Sequence, residues 1–168
     1  MYIPFEEMPA QARIWIYQAS RPLSQVEETY AMELGKKFTT SWAAHGKPLQ
    51  SSVKVFHQRF LVIAVDEAYN QASGCSIDAS VALVKELEEK FSTPQEQFSF
   101  FDRSKVAFLH QDEIFVESTS QLKQQVAQGK IKPDTLTFNN LVNSKAQFDK
   151  EWVVPAKDSW LARYFKTA

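Results

Sequence analysis

Residues 60–90 read FLVIAVDEAYNQASGCSIDASVALVKELEEK and join a strand-like run, a loop and an amphipathic helix. The strand-like run is apolar and ends in Asp66 and Glu67, as expected of a buried strand. The loop contains small and polar residues and carries the only cysteine of the chain, Cys75. The helix has apolar residues three or four positions apart on one face, namely Ile77, Val81, Val84, Leu87 and Phe91. This unit of strand, loop and helix is the best candidate for a functional edge.

A first helix is predicted upstream, after an alternating strand-like run at residues 12–19. Ser24 followed by Glu27 matches a capping box at a helix start. Gly35 inside this helix is expected to cost up to about 1 kcal/mol relative to alanine. The predicted buried face repeats every four residues and consists of Val26, Tyr30, Leu34, Phe38 and Trp42.

The order of the elements predicts the fold class. Strand-like runs at residues 52–57 and 60–66 flank a tight connection, which favours an antiparallel hairpin. Residues 98–101 are predicted as a fourth strand. The order strand, helix, strand, strand, helix, strand is that of a ferredoxin-like βαββαβ sandwich. We therefore expect an α+β fold in which two helices cover one face of a four-stranded antiparallel sheet.

A second unit is predicted to follow this body. Its apolar runs indicate a hairpin within residues 106–117 and a short helix that ends at Gly129. Another strand-like run follows at residues 135–138. We therefore expect a ferredoxin-like α+β body at residues 1–103 and a C-terminal hairpin–helix extension at residues 104–168, packed together as one compact domain.

The composition excludes several classes of function. The chain has 168 residues, of which 44% are hydrophobic, which is enough for a sizeable core. A formal net charge of −1 gives no general field that would attract nucleic acid or an anionic membrane. The single cysteine rules out an intramolecular disulfide. The longest aliphatic run, residues 61–65, is far shorter than the roughly 20 residues that span a bilayer. We therefore expect a soluble cytoplasmic protein with no nucleic-acid or membrane partner.

Four blocks of the sequence resemble a known family: SGCSIDASV at 73–81, FFDR at 100–103, TLTFNNLV at 135–142 and WVVPAKDSW at 152–160. They resemble a small bacterial family of uncharacterised cytosolic proteins, and the resemblance covers most of the chain. Some members are labelled ABC transporter ATPases. A phosphate-binding P-loop needs the pattern GxxxxGK[ST], and none of the four glycines of this chain stands in it. The sequence therefore does not support an ATPase.

A second resemblance covers residues 106–140. Its apolar and turn positions are similar to the helix-turn-strand of GYF-like modules, at Leu122, Val126, Gly129, Ile131, Asp134, Thr135 and Leu136. GYF-like modules bind proline-rich peptides or other partners, although the Gly-Pro-aromatic lead-in of that family is missing from this chain. The resemblance implies a role in binding a partner.

Cys75 is the candidate nucleophile. It stands beside a predicted helix N-terminus, where the helix dipole favours a thiolate, and Gly74 would let a ligand approach the backbone. A cysteine nucleophile needs a base, and the ferredoxin-like path would bring His45 to the same edge of the sheet. The alternative is that Cys75 packs as a small apolar residue while Ser73 or Ser76 caps the helix.

Acidic residues at the same edge offer a second interpretation. Asp66, Glu67 and Asp78 could form a cluster for a cation or for acid–base chemistry. Successive strand residues point to opposite faces, and Asp78 can instead complement the helix dipole. Because His and Cys do not recur at ligand spacing, the sequence predicts no metal site and identifies no cofactor.

The C-terminal part offers a groove. Asn139 and Asn140, together with the tail from Trp152 through Pro155 to Trp160, could frame a surface for a peptide or a small molecule. The alternative is that the tryptophans complete the core. We expect a ligand-binding or protein-binding regulatory module. A small enzyme that uses Cys75 in acyl or thiol transfer is the alternative, and a scaffold whose second unit binds a partner chain is the third interpretation.

Overall fold

The fold is mixed α+β, and the paired strands of every sheet are antiparallel. Helices lie between groups of strands along the chain. This computed structural model describes residues 1–166. The first elements are β1 (Arg13–Gln18), α1 (Gln25–Ser41), β2 (Ala43–Ala44), β3 (Lys47–Pro48), β4 (Ser51–Phe56), β5 (Phe60–Val65) and α2 (Gly74–Phe91). The later elements are β6 (Lys105–His110), β7 (Glu113–Ser118), α3 (Leu122–Ala127), β8 (Leu136–Phe138), α4 (Lys145–Glu151) and β9 (Val153–Pro155).

The chain divides into two compact units. The first contains Met1–Asp102 and the short segment Asn143–Ala146. The second contains Arg103–Val142 and the chain from Gln147 onwards. Each unit has a sheet and a buried cluster of its own.

The sheet of the first unit has the order β1-β5-β4. The central strand β5 pairs along its whole length with both neighbours, from Phe60 opposite Gln18 and Phe56 to Val65 opposite Arg13 and Ser51. All six β5 residues have an exposed fraction of 0%. A strand that is covered on both faces needs a continuous apolar run rather than an alternating one, which explains the sequence FLVIAV.

Both long helices contribute to one buried cluster with the same face of this sheet. The face presents Leu61, Ile63 and Val65 of β5 beside Val53 and Val55 of β4. Ala31 of α1 and the α2 residues Leu83, Val84, Leu87 and Phe91 belong to that cluster. The predicted buried face of α2 is confirmed only in the second half of the helix. In the first half Ser76 and Ser80 are buried, and Ile77 and Val81 are partly exposed.

Helix α1 packs on β4 through small residues. Its buried residues are Ala31, Gly35 and Thr39, one helical turn apart. A Cβ atom at Gly35 would lie 2.7 Å from Val53 Cγ1, so only glycine allows this close approach. Of the predicted face, Val26 alone lies outside the core, at 80% exposed. The other predicted residues belong to the buried cluster or pack against it, namely Tyr30, Leu34, Phe38 and Trp42. Gly35 is therefore the contact point of the helix and not a weakness in it.

The ferredoxin-like arrangement is not confirmed, because the fourth strand predicted at residues 98–101 does not form and the sheet has three strands. Phe98 and Phe100 both enter the buried cluster, with ring centroids 5.0 Å apart. The hydroxyl of Ser99 accepts the backbone N–H groups of Phe101 and Asp102 at 3.0 and 3.2 Å, which turns the chain. One backbone bond joins this segment to the end of β1, from Ser20 N to Ser99 O at 2.8 Å. The local turn replaces strand pairing.

The second unit is a four-stranded sheet of order β7-β6-β8-β9. Gln111 and Asp112 connect β6 to β7 with φ values of 49° and 64°, as a two-residue hairpin turn requires. Helix α3 follows the hairpin, so residues 106–127 match the predicted hairpin and helix. Strand β9 and two 3-10 helices at 156–158 and 160–164 were not predicted. The buried cluster contains Phe108, Leu122, Ile131, Ala156 and Leu161.

Candidate functional site

Hydrogen bonds hold three loops together at the edge of the first unit where α2 begins. Trp42 Nε1 donates to the Ser76 carbonyl at 2.9 Å, and Asn70 Nδ2 donates to the Lys47 carbonyl at 3.2 Å. The turn between β2 and β3 carries His45, which is exposed and has a φ of 51°. These bonds tie the His45 hairpin to the loop after Asp66 and to the first turn of α2.

The N-terminus of α2 is occupied by its own side chains. Ser73 Oγ accepts Ser76 N at 3.1 Å, and Ser76 Oγ accepts Ser73 N at 2.7 Å, which forms a reciprocal capping box. The space beside Gly74 is open, since nothing lies within 4 Å of a Cβ atom built there. Ser73 and Ser76 therefore act as the predicted caps, and they use two of the amides that an oxyanion would need.

The two carboxylates at the end of β5 stabilise the loop that follows. Asp66 Oδ1 accepts Ala68 N at 3.1 Å. Glu67 Oε2 accepts Ala72 N at 3.1 Å, and its Oε1 lies 3.5 Å from Arg13 Nη1. Asp78 is exposed on α2. Among residues 1–166, no group of three or more His, Cys, Asp or Glu side chains is arranged to hold a metal ion.

Cys75 is exposed, so it does not pack as a core residue. Within the described part of the chain, no histidine forms a hydrogen bond with its thiol, and neither Cys75 nor His45 has a side-chain hydrogen bond. A nucleophile and its base should lie within hydrogen-bond reach. The edge therefore presents an accessible thiol that has no base in contact with it.

The second unit carries a groove of about 300 Å³. Its lining combines apolar, amide, hydroxyl and acidic side chains, namely Asn139, Leu141, Val142, Gln147, Glu151, Asp158, Ser159 and Trp160. Leu141 is 77% exposed and Trp160 is 44% exposed. The groove therefore combines two large apolar side chains that the fold leaves open with groups that can form hydrogen bonds.

Local hydrogen bonds position the two apolar side chains. After β8 the backbone N–H of Asn139 donates to the Trp152 carbonyl at 2.6 Å. The side chain of Asn139 accepts Leu141 N at 3.2 Å, which closes a tight turn and leaves Leu141 at its tip. On the other side, Ser159 Oγ accepts Leu161 N at 3.1 Å and starts the 3-10 helix that begins with Trp160.

The two tryptophans of the tail have different roles. Trp152 is 5% exposed and stacks on Phe148 with ring centroids 4.4 Å apart. Asn140 Oδ1 accepts the Trp152 indole N–H at 3.0 Å. Trp152 therefore belongs to the core and Asn140 satisfies its polar atom, whereas Trp160 and Asn139 line the groove.

The groove is acidic. Glu151 and Asp158 are exposed, and no lysine or arginine is among its lining residues. Lys157, the neighbour of Asp158, instead forms an ion pair with Asp134 at 2.9 Å, and this carboxylate raises the pKa of Lys157. The guanidinium of Arg163 lies 5.0 Å from the centre of the Trp160 ring. Sequence reasoning missed Leu141, Glu151 and Asp158, because nothing in their local pattern shows that they share one surface.

A larger, open depression of about 560 Å³ lies in the first unit beside the C-terminal end of α2. Several of its polar side chains are already used by the fold. Glu88 Oε2 accepts Phe100 N at 2.7 Å, and Ser92 Oγ accepts Phe98 N at 2.9 Å. Glu96 forms an ion pair with Arg21 at 2.6 Å. The groove of the second unit is therefore the better candidate, although it is smaller.

No helix within residues 1–166 combines the length and the hydropathy that crossing a membrane requires. Comparison of this chain with protein-family models, with curated proteins and with solved structures found no match.

Proposed function

We propose that this chain is a binding module for a protein or peptide partner and that the groove of the second unit is its binding site. The observation that carries the proposal is the exposure of Leu141 and Trp160, at 77% and 44%, on one groove. Burying a large apolar side chain yields about 1.5–3 kcal/mol. Two such side chains, surrounded by amide and hydroxyl groups, provide the apolar anchors and polar rim of a recognition surface.

A partner chain fits the groove better than a small molecule does. Small-molecule sites bury most of the ligand and have volumes from about 300 to 1,000 Å³, and this groove has about 300 Å³. A surface that leaves Leu141 77% exposed does not enclose a ligand. An extended peptide needs only one of its sides to be covered.

The resemblance of residues 106–140 to GYF-like modules also supports a partner-binding role. In this chain that segment forms the β6–β7 hairpin, α3 and β8. The groove begins directly after β8, at Asn139. The scaffold interpretation, in which the second unit binds a partner chain, is therefore part of the same proposal.

The proposal is tested by selecting peptides from a random library on immobilised protein. The groove variants Leu141→Ser and Trp160→Ala are compared with Val26→Ser and Tyr69→Ala, which remove exposed apolar side chains of the first unit. We expect peptides that bind the parent and both control variants and that bind each groove variant about tenfold more weakly. Peptides that bind all five proteins equally, or no enrichment at all, would exclude the groove as the binding site.

A small enzyme that uses Cys75 is the second candidate, because the thiol is exposed beside the capped N-terminus of α2. Alkylation by iodoacetamide at neutral pH separates the two candidates. We expect Cys75 to react about as fast as the thiol of glutathione, since no base is hydrogen-bonded to it among the described residues. A rate about tenfold or more above that of glutathione would favour the enzyme.

A further inference from the structure

We infer that the groove of the second unit recognises a basic partner segment, which combines apolar side chains with lysine or arginine. The inference rests on the proposed function and adds the chemistry of the partner to it. Its basis is the combination of two exposed apolar side chains, Leu141 and Trp160, with two exposed carboxylates, Glu151 and Asp158, on the lining of one groove.

The carboxylates of the groove are available to a partner. Neither Glu151 nor Asp158 forms an ion pair with another described residue. Glu151 follows Gln147 by one turn on α4, so the amide and the carboxylate lie on the same helix face. Two carboxylates without a cation in the lining attract a positively charged segment and repel an acidic one.

Two cations close in sequence to the lining residues, Lys157 and Arg163, are engaged with other groups. Lys157 forms its hydrogen bond with Asp134, although its charge still acts on Asp158. Arg163 lies over the rings of Trp160 and Tyr164 and donates to the Tyr164 hydroxyl at 3.2 Å. The Arg163 contact shows that the Trp160 indole accepts a guanidinium by a cation–π interaction. A partner arginine can use the same chemistry.

Two other occupants fit the charge less well. An anionic membrane surface would also bury Leu141 and Trp160, but it would be repelled by Glu151 and Asp158. A second copy of this chain would place like carboxylates against each other if the same groove formed both sides of the contact. A basic segment satisfies the apolar and the acidic groups together.

Three peptide pools test the inference. Each pool has randomised apolar residues at alternate positions, and the positions between them are all lysine in one pool, all glutamine in the second and all glutamate in the third. Retention of each pool on the immobilised full-length chain is measured at low and at high salt. We expect the lysine pool to be retained about fivefold more than the glutamine pool at low salt, with the difference reduced by salt, and the glutamate pool least.

The double variant Glu151→Gln with Asp158→Asn provides the decisive comparison. We expect it to retain the lysine pool no better than the glutamine pool. Its matched control is Glu33→Gln with Glu86→Gln, which removes two exposed carboxylates from the first unit and changes the net charge equally. The control should retain the lysine pool as the parent does. A control that loses the same retention would overturn the inference, because the effect would then follow net charge.

The outcomes separate this inference from the proposed function. If all pools bind the parent equally and Leu141→Ser abolishes the binding of all three, the basic preference is wrong and the proposed function stands. If no pool binds, or if Leu141→Ser changes nothing, both are wrong. Two further results would overturn the inference of a basic partner. They are self-association of the chain in sedimentation velocity and co-sedimentation with phosphatidylserine vesicles, provided that Leu141→Ser abolishes the association or the vesicle binding.

Discussion

The guanidinium of Arg21 joins parts of the first unit that are far apart in the sequence. It forms two hydrogen bonds with the Glu27 carboxylate, at 2.8 and 3.0 Å, and one with Glu96 at 2.6 Å. It also lies 4.9 Å from the centre of the Phe98 ring. The capping box of Ser24 and Glu27 was predicted and is present. Its connection to Arg21 was not predicted, because Glu96 lies 75 positions away and no local pattern marks such a contact.

The Arg21 ion pair predicts how stability depends on pH. The hydrogen bonds from Arg21 lower the pKa of Glu27 from 4.5 to about 2. A carboxylate with a lowered pKa in the folded state contributes stability that is present above the unfolded pKa and is lost as the pH falls through the folded one. We expect Glu27→Gln to cost about 1–2 kcal/mol at pH 7 and almost nothing near pH 2, measured by urea unfolding. Glu28→Gln, which removes the neighbouring carboxylate, is the matched control, and a pH-independent cost of Glu27→Gln would contradict the ion pair.

Gly35 gives a second prediction at the scale of one residue. The added Cβ of Gly35→Ala would lie 2.7 Å from Cγ1 of Val53, a core residue that is 0% exposed. We expect a loss of about 1–3 kcal/mol from overpacking, although alanine is the better helix former. Gly74→Ala is the matched control, since nothing lies within 4 Å of its added Cβ, and it should be neutral or stabilising in the same unfolding assay. Equal effects of the two changes would show that α1 does not lie this close to β4.

At the scale of elements, periodicity predicted the existence of helices and hairpins better than their faces. The continuous apolar run of β5 predicted a strand, which the structure places at the centre of its sheet. Most of the α1 face was predicted, but periodicity favours large residues and gave no sign that close packing on β4 uses Ala31, Gly35 and Thr39. The predicted fourth strand failed because the alternation of Phe98 and Phe100 also fits a turn with both rings in the core.

The phase of α2 gives the prediction at this scale. Val84 is 0% exposed in the buried cluster of the first unit, while Ala82 on the same helix is exposed. Val84→Asp would bury an unpaired carboxylate and should cost several kcal/mol, at least about 3. Ala82→Asp should cost less than about 1 kcal/mol, which is the helix propensity of aspartate on an exposed face. Equal thermal stability of the two variants would mean that the face of α2 is wrongly assigned.

At the scale of the whole molecule, the boundary predicted after residue 103 accounts for only part of the division into units. The chain returns to the first unit at Asn143–Ala146, where Ile14 N donates to Asn143 O at 3.1 Å and Lys145 N donates to Ala12 O at 2.9 Å. Such backbone contacts leave no side-chain pattern in the sequence. The groove was also predictable only in part. Sequence suggested Asn139 and the tail, but identical tryptophans at 152 and 160 give no sign that one is buried and the other exposed.

We propose above that the groove of the second unit binds a partner chain. The most direct test is the dissociation constant of one peptide, chosen from the library, for the parent and for the Leu141→Ser variant at the same salt concentration. The account predicts that the variant binds at least about tenfold more weakly, with an unchanged melting temperature, because Leu141 is 77% exposed and supports no core. Equal dissociation constants for the two proteins would contradict it.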